Sequence, residues 1–169
     1  MADAKKDEGN KAFKEKRYGE ALACYSEAIV LDPKNHVLYS NRSACHASLT
    51  DWQAAVDDAE ECIRLDSSFS KGYFRLASAQ LGLKLPAAAE GTARQGLDLD
   101  KDNKALVRLL HKCRAVKKEL KEEARVEKLR QEMRDKCESM SPEEFKWKAW
   151  CAERVSRFAS ASIALRCTP

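Results

Sequence analysis

Five hydrogen-bond donors in the first half of the chain are typed and spaced for shared chemistry: Lys6, Asn10, Asn41, Lys71 and Arg75. Lys6/Asn10 and Lys71/Arg75 are i,i+4 pairs, so on a helix each pair projects from a single face. Ammonium, guanidinium and amide groups that converge can hold an anion through charge-assisted hydrogen bonds, each contributing roughly 1.5–3 kcal/mol. Catalysis has no comparable set. His36, His46 and His111 stand singly, and Cys45 and His46, being neighbours, diverge by about 100° on a helix and cannot pair as nucleophile and base. There is no glycine-rich phosphate loop and no pair of carboxylates on a scaffold. The seven cysteines, at 24, 45, 62, 113, 137, 151 and 167, form no C-x-x-C pair. They read as small apolar residues in a reducing compartment, not as disulfides or zinc ligands. No enzymatic activity, cofactor or metal is expected.

The elements that must position these donors follow from a repeat. Leu31-Asp32, Leu65-Asp66 and Leu99-Asp100 recur at an interval of 34 residues, as do Ala21, Ala55 and Ala89, and Tyr39 returns as Tyr73. No gap is needed between residues 2 and 103, which gives three units: 2–35, 36–69 and 70–103. Each reads as two helices. Small residues at Gly9, Ala21 and Ala28 allow close approach, the large Tyr25 fills space, and Pro33 stops the second helix. Within the first helix of each unit, positions 2, 5, 6, 9 and 12 share a face, and stacked units line up those faces along one groove. That groove takes Lys6, Asn10 and Phe13 from the first unit, Asn41, Ala44 and Ala47 from the second, and Lys71, Phe74, Arg75 and Leu81 from the third. The acids Asp3 and Asp7 share the face of the first unit, which leaves the groove net positive by about one. Donors above an apolar floor suit an extended peptide with an acidic end. A terminal Asp, carrying two carboxylates, could engage several donors at once.

In the first unit, Gly9, Ala21, Tyr25, Ala28 and Pro33 stand where the tetratricopeptide-repeat (TPR) pattern has Gly, Ala, a large aromatic, Ala and Pro. Ser67 and Lys101 replace that Pro in the other two units. The segments Lys6-x-x-Gly9-Asn10-Lys11-Ala12, Tyr39-Ser40-Asn41-Arg42-Ser43-Ala44 and Lys71-Gly72-Tyr73-x-Arg75 resemble the dicarboxylate-clamp TPR domains of heat-shock organising cochaperones. The resemblance spans residues 2–103. It implies an all-α, three-repeat helix-turn-helix superhelix that binds the C-terminal Glu-Glu-Val-Asp of cytosolic heat-shock chaperones, of the 70 kDa class, the 90 kDa class or both. It further implies that the five clamp members are Lys6, Asn10, Asn41, Lys71 and Arg75. Two Lys and two Asn would hold the terminal carboxylates, and the Arg would support the ligand further upstream.

Composition agrees with a helical protein. The chain has 169 residues, 44% of them hydrophobic and 34% charged, with six Gly and four Pro. No amino-terminal apolar segment suggests a secretory signal, and no apolar run is long enough for a membrane span, so a cytoplasmic protein is expected. Net charge is +4. Residues 1–103 hold 14 basic and 17 acidic side chains, whereas 104–140 hold 12 and 7. The acids interleave with the bases, as on a solvated helix, so nucleic acid is not an expected partner. Leu106, Leu109, Leu110, Cys113 and Val116 mark a seventh helix that caps the last unit and runs on, highly charged, to about residue 137. Ser141-Pro142-Glu143-Glu144 predicts a short C-terminal helix carrying Trp147 and Trp150, and the 117–169 region could hold a second protein partner. Two other functions fit the same pattern: a TPR scaffold for another acidic or internal peptide, or the targeting module of a larger assembly.

Overall fold

The 34-residue period sets the helix boundaries. The computed structural model describes residues 1–138, so the expected helix start at Ser141 and the residues Trp147 and Trp150 lie outside it. Seven helices, and no strand, occur among the described residues: α1 (Ala2–Lys14), α2 (Tyr18–Leu31), α3 (His36–Ser48), α4 (Trp52–Leu65), α5 (Ser70–Gly82), α6 (Pro86–Leu99) and α7 (Lys104–Glu138). First helices begin at 2, 36 and 70 and second helices at 18, 52 and 86. Helix α7 starts at 104, where a fourth unit would begin. The chain divides after residue 120 into two parts.

Identical turns hold each pair. The Lys16 N–H donates to the Phe13 carbonyl (3.0 Å) and the Arg17 N–H to the Ala12 carbonyl (2.9 Å). Thr50/Asp51 and Lys84/Leu85 repeat this helix-ending motif. It requires a left-handed residue, and Lys16, Thr50 and Lys84 sit at φ 61°, 62° and 59°. The second turn of a unit is tied from the next one: the Tyr39 hydroxyl donates to the Pro33 carbonyl (3.2 Å) and the Tyr73 hydroxyl to the Ser67 carbonyl (3.1 Å). Asn35 and Asn103 then cap α3 and α7, accepting from the Val37 N–H and from the Ala105 and Leu106 N–H groups.

Small side chains bring the helices together. Ala21, Ala28, Ala55, Ala59, Ala77, Ala89 and Ala93 are fully buried. Each helix packs on the next from α1 to α6, and α3 also meets α5, which sets first helices side by side. Arg42 does not join the groove donors beside it. One residue on from Asn41, it points about 100° away and grips the buried Asp58 of α4 with two bonds of 2.9 and 2.6 Å, while its third nitrogen reaches Ser26 of α2.

The start of α7 closes the stack. Leu106, Leu109 and Cys113 pack with Ala77, Ala89 and Ala93 in one apolar cluster. Glu90 of α6, itself buried, accepts from Arg94 (2.6 Å), Arg114 (3.3 Å) and Lys117 (2.8 Å), fastening α7 to the last pair. Beyond residue 120, the side chains from Lys121 to Lys136 are exposed, and pairs such as Arg134–Glu127 (2.9 Å) and Lys128–Glu132 (3.8 Å) link them along the helix. No helix among the described residues is long and apolar enough to cross a membrane.

Candidate anion-binding pocket

Gly9 is where the pocket begins. A Cβ there would lie 2.8 Å from Cε1 of Tyr25, so only glycine admits the Tyr25 ring of α2 against α1. The buried ring carries its hydroxyl to Asn10, donating to Oδ1 at 2.8 Å. Asn41 Nδ2 approaches the same oxygen at 3.4 Å. With its acceptor engaged twice, the Asn10 amide is fixed with Nδ2 as its free-standing donor, which makes one weak contact to Asp7 Oδ1 at 3.5 Å. Burial pushes the Tyr25 phenol up to about 12, so it remains a donor throughout the physiological range.

Above this pair opens a pocket of about 290 Å³, lined by Asn10, Phe13 and Lys14 of α1, Tyr25 of α2, Asn41 and Ala44 of α3, and Lys71 and Arg75 of α5. Phe13 is braced edge-on by Tyr18, with ring centroids 5.3 Å apart. The lining contains three cations and no carboxylate. Arg17, Arg42, Arg64 and Arg94 all pair with acids. In contrast, Lys71 and Arg75 make no ion pair or hydrogen bond with any described residue. The Arg75 Nε is buried without a partner, and the guanidinium stands 5.7 Å from the centre of the Phe74 ring. Burial lowers the Arg75 pKa, and burial together with the adjacent Arg75 charge lowers that of Lys71. Both cations stand without a counter-charge, Arg75 half-buried and Lys71 more exposed, an arrangement that an incoming anion relieves.

Of the residues singled out from the sequence, Asn10, Asn41, Lys71, Arg75, Phe13 and Ala44 are brought together here. Lys6 is not among the lining residues. One turn earlier on α1, it pairs with Asp3 at 2.5 Å, and that hydrogen bond raises its pKa. Ala47 packs toward the Ala55–Ala59 cluster, and Phe74 and Leu81 pack against the cluster that holds Leu106. Tyr25 and Lys14 are additions. Tyr25 reads from the sequence only as a space-filling repeat residue. Lys14 completes the i,i+4 series Lys6, Asn10, Lys14, which is the signal that could have placed it.

Residues 2–35 match the family description "Tetratricopeptide repeat". The chain superposes on the first TPR of Spaghetti (RPAP3) bound to the HSP90 peptide SRMEEVD with a TM-score of 0.65 and 31% identity, over 68% of this chain and 90% of that one. The chain belongs to the tetratricopeptide-repeat family. The second TPR domain of human RPAP3, in complex with the HSP70 peptide SGPTIEEVD, gives a TM-score of 0.65 and 33% identity over 67% of this chain and 94% of that one. Among full proteins, the TPR chain is 48% identical over 105 residues to heat shock protein STI1 of Saccharomyces cerevisiae, covering 62% of this chain and 18% of that protein. It is 43% identical over 109 residues to an Hsp70-Hsp90 organising protein of Plasmodium falciparum, covering 64% of this chain and 43% of that protein. The chain thus spans less than half the length of either relative.

Proposed function

We propose that the TPR pocket captures the terminal carboxylates of peptides ending in Glu-Glu-Val-Asp, and that the chain is a non-catalytic cytoplasmic adaptor for chaperones of the 70 kDa class, the 90 kDa class or both. The observation that carries this is the pair of cations, Lys71 and the half-buried Arg75, unpartnered in a pocket that holds no acid. Two amides, Asn10 and Asn41, complete a donor set for an α-carboxylate and an Asp side chain. Phe13 and Ala44 offer apolar wall to the residue before the terminus. Lys6 joins when the ligand draws it from Asp3, an exchange of one exposed ion pair for another that costs little. Two solved TPR domains that superpose on this chain carry peptides with that ending, which supports the same ligand class. In this reading units 2–35, 36–69 and 70–103 form the binding body, residues 104–137 supply a capping helix that extends into a charged, exposed one, and the 117–169 region remains for a second protein partner.

The test is a nuclear magnetic resonance titration of the whole chain with Ser-Gly-Pro-Thr-Ile-Glu-Glu-Val-Asp. The side-chain amide signals of Asn10 and Asn41 are expected to move most, with the backbone signals of Lys71 and Arg75. Shifts confined to α7 would contradict the proposal.

A further inference from the structure

The pocket crosses the helices obliquely. It takes the second and sixth residues of α5, the sixth and ninth of α3, and the ninth, twelfth and thirteenth of α1. Its two ends are therefore Lys71, in the first turn of α5, and Lys14, in the last turn of α1. Lys14 shares its end with the apolar ring of Phe13 and makes no hydrogen bond or ion pair with any described residue. Lys11 and Lys14 both sit in the last turn of α1, where cations complement the helix dipole, but only Lys14 lines the pocket. A terminal Asp supplies two carboxylates within a few ångströms of each other, and Lys71 with the two amides, joined by Lys6, meets those, while Arg75 supports the ligand backbone beside them. The third cation calls for a third negative charge, carried on a different residue of the same ligand.

Resting on the proposed capture of a chain terminus, we infer that Lys14 is a specificity-determining residue: it pairs with an acidic side chain upstream of the terminal residue, so the pocket selects peptides with a third carboxylate. A peptide ending in a lone Asp would fill one end and leave Lys14 without a partner. An ammonium at the mouth of a pocket forms a part-exposed pair, so its contribution is modest and sensitive to salt.

The test is a double-mutant cycle by calorimetry on the whole chain. Wild type and Lys14→Gln are each titrated with Ser-Gly-Pro-Thr-Ile-Glu-Glu-Val-Asp, with the two peptides in which one Glu becomes Gln, and with the C-terminal amide. Lys14→Gln is expected to weaken the parent peptide about fivefold and to leave one of the two Gln peptides within twofold, which identifies the paired Glu. A change of less than twofold for the parent, or an equal loss on all peptides, would overturn the assignment to Lys14. Equal binding of acid and amide would remove the terminal-carboxylate reading alone, because the Lys14–Glu coupling is still read from the cycle. No binding of the parent to wild type would remove both.

Discussion

At the scale of single residues, the pocket depends on what glycine leaves out. Gly9 does not line it, yet it admits Tyr25, whose hydroxyl holds the Asn10 amide in a donating pose. Two effects oppose each other in Gly9→Ala. Alanine favours the helix by about 1 kcal/mol. Its Cβ, however, would meet three atoms of a ring that is only 2% exposed, at 2.8–3.0 Å, and forcing such a core apart costs roughly 1–3 kcal/mol. The clash wins. We expect Gly9→Ala to lose about 1 kcal/mol of stability in chemical denaturation and to weaken the peptide several-fold in the same preparation. A variant more stable than wild type would show that Tyr25 has room to move. Most of the donor set was legible in the sequence because i,i+4 spacing on a repeated helix fixes direction. The role of Tyr25 was not, because it depends on the distance between two helices, which only the packed structure sets.

At the scale of elements, three copies of one turn carry left-handed residues without glycine. Lysine tolerates φ near 60° at modest cost, but Thr50 is β-branched and crowds its own backbone there. Thr50→Gly is expected to stabilise the chain by about 1 kcal/mol, the relief of strain exceeding the entropy that glycine adds to the unfolded state, and to raise the melting temperature by a few degrees in calorimetry. An unchanged or lower melting temperature would mean that the Thr50 backbone is not strained. The helix boundaries were open to sequence reasoning because boundary residues recur in register: Leu31-Asp32, Leu65-Asp66 and Leu99-Asp100 each fall at the end of a second helix. The edges of the groove were harder to read. Ala47, Phe74 and Leu81 share the helical face of Ala44 and Arg75, but neighbouring helices cover that face unevenly, and those three pack toward apolar clusters.

At the scale of the whole molecule, α7 extends the stack by its first turns, and the attachment runs through one carboxylate. Glu90 is held down to about 2 from 4.5, first by its hydrogen bond from Lys117 and then by those of Arg114 and the charge of Arg94. A carboxylate lowered on folding adds stability that is present above its unfolded value and is lost as pH falls toward its folded value. The difference in melting temperature between wild type and Glu90→Gln should therefore be largest near pH 6 and shrink between about pH 5 and pH 2. A difference independent of pH would mean that Glu90 acts through packing alone. The apolar stripe Leu106, Leu109 and Cys113 announced α7 in the sequence, whereas the Glu90 cluster joins residues up to 27 apart that no periodicity links. The central claim is that an anion terminus satisfies Lys71 and Arg75, and calorimetric titration of the whole chain tests it most directly. A peptide ending in Glu-Glu-Val-Asp should bind at about 1–10 μM, near −7 to −8 kcal/mol, and its C-terminal amide and the Lys71→Ala variant should each bind at least tenfold more weakly. Equal affinity of the acid and the amide would contradict it.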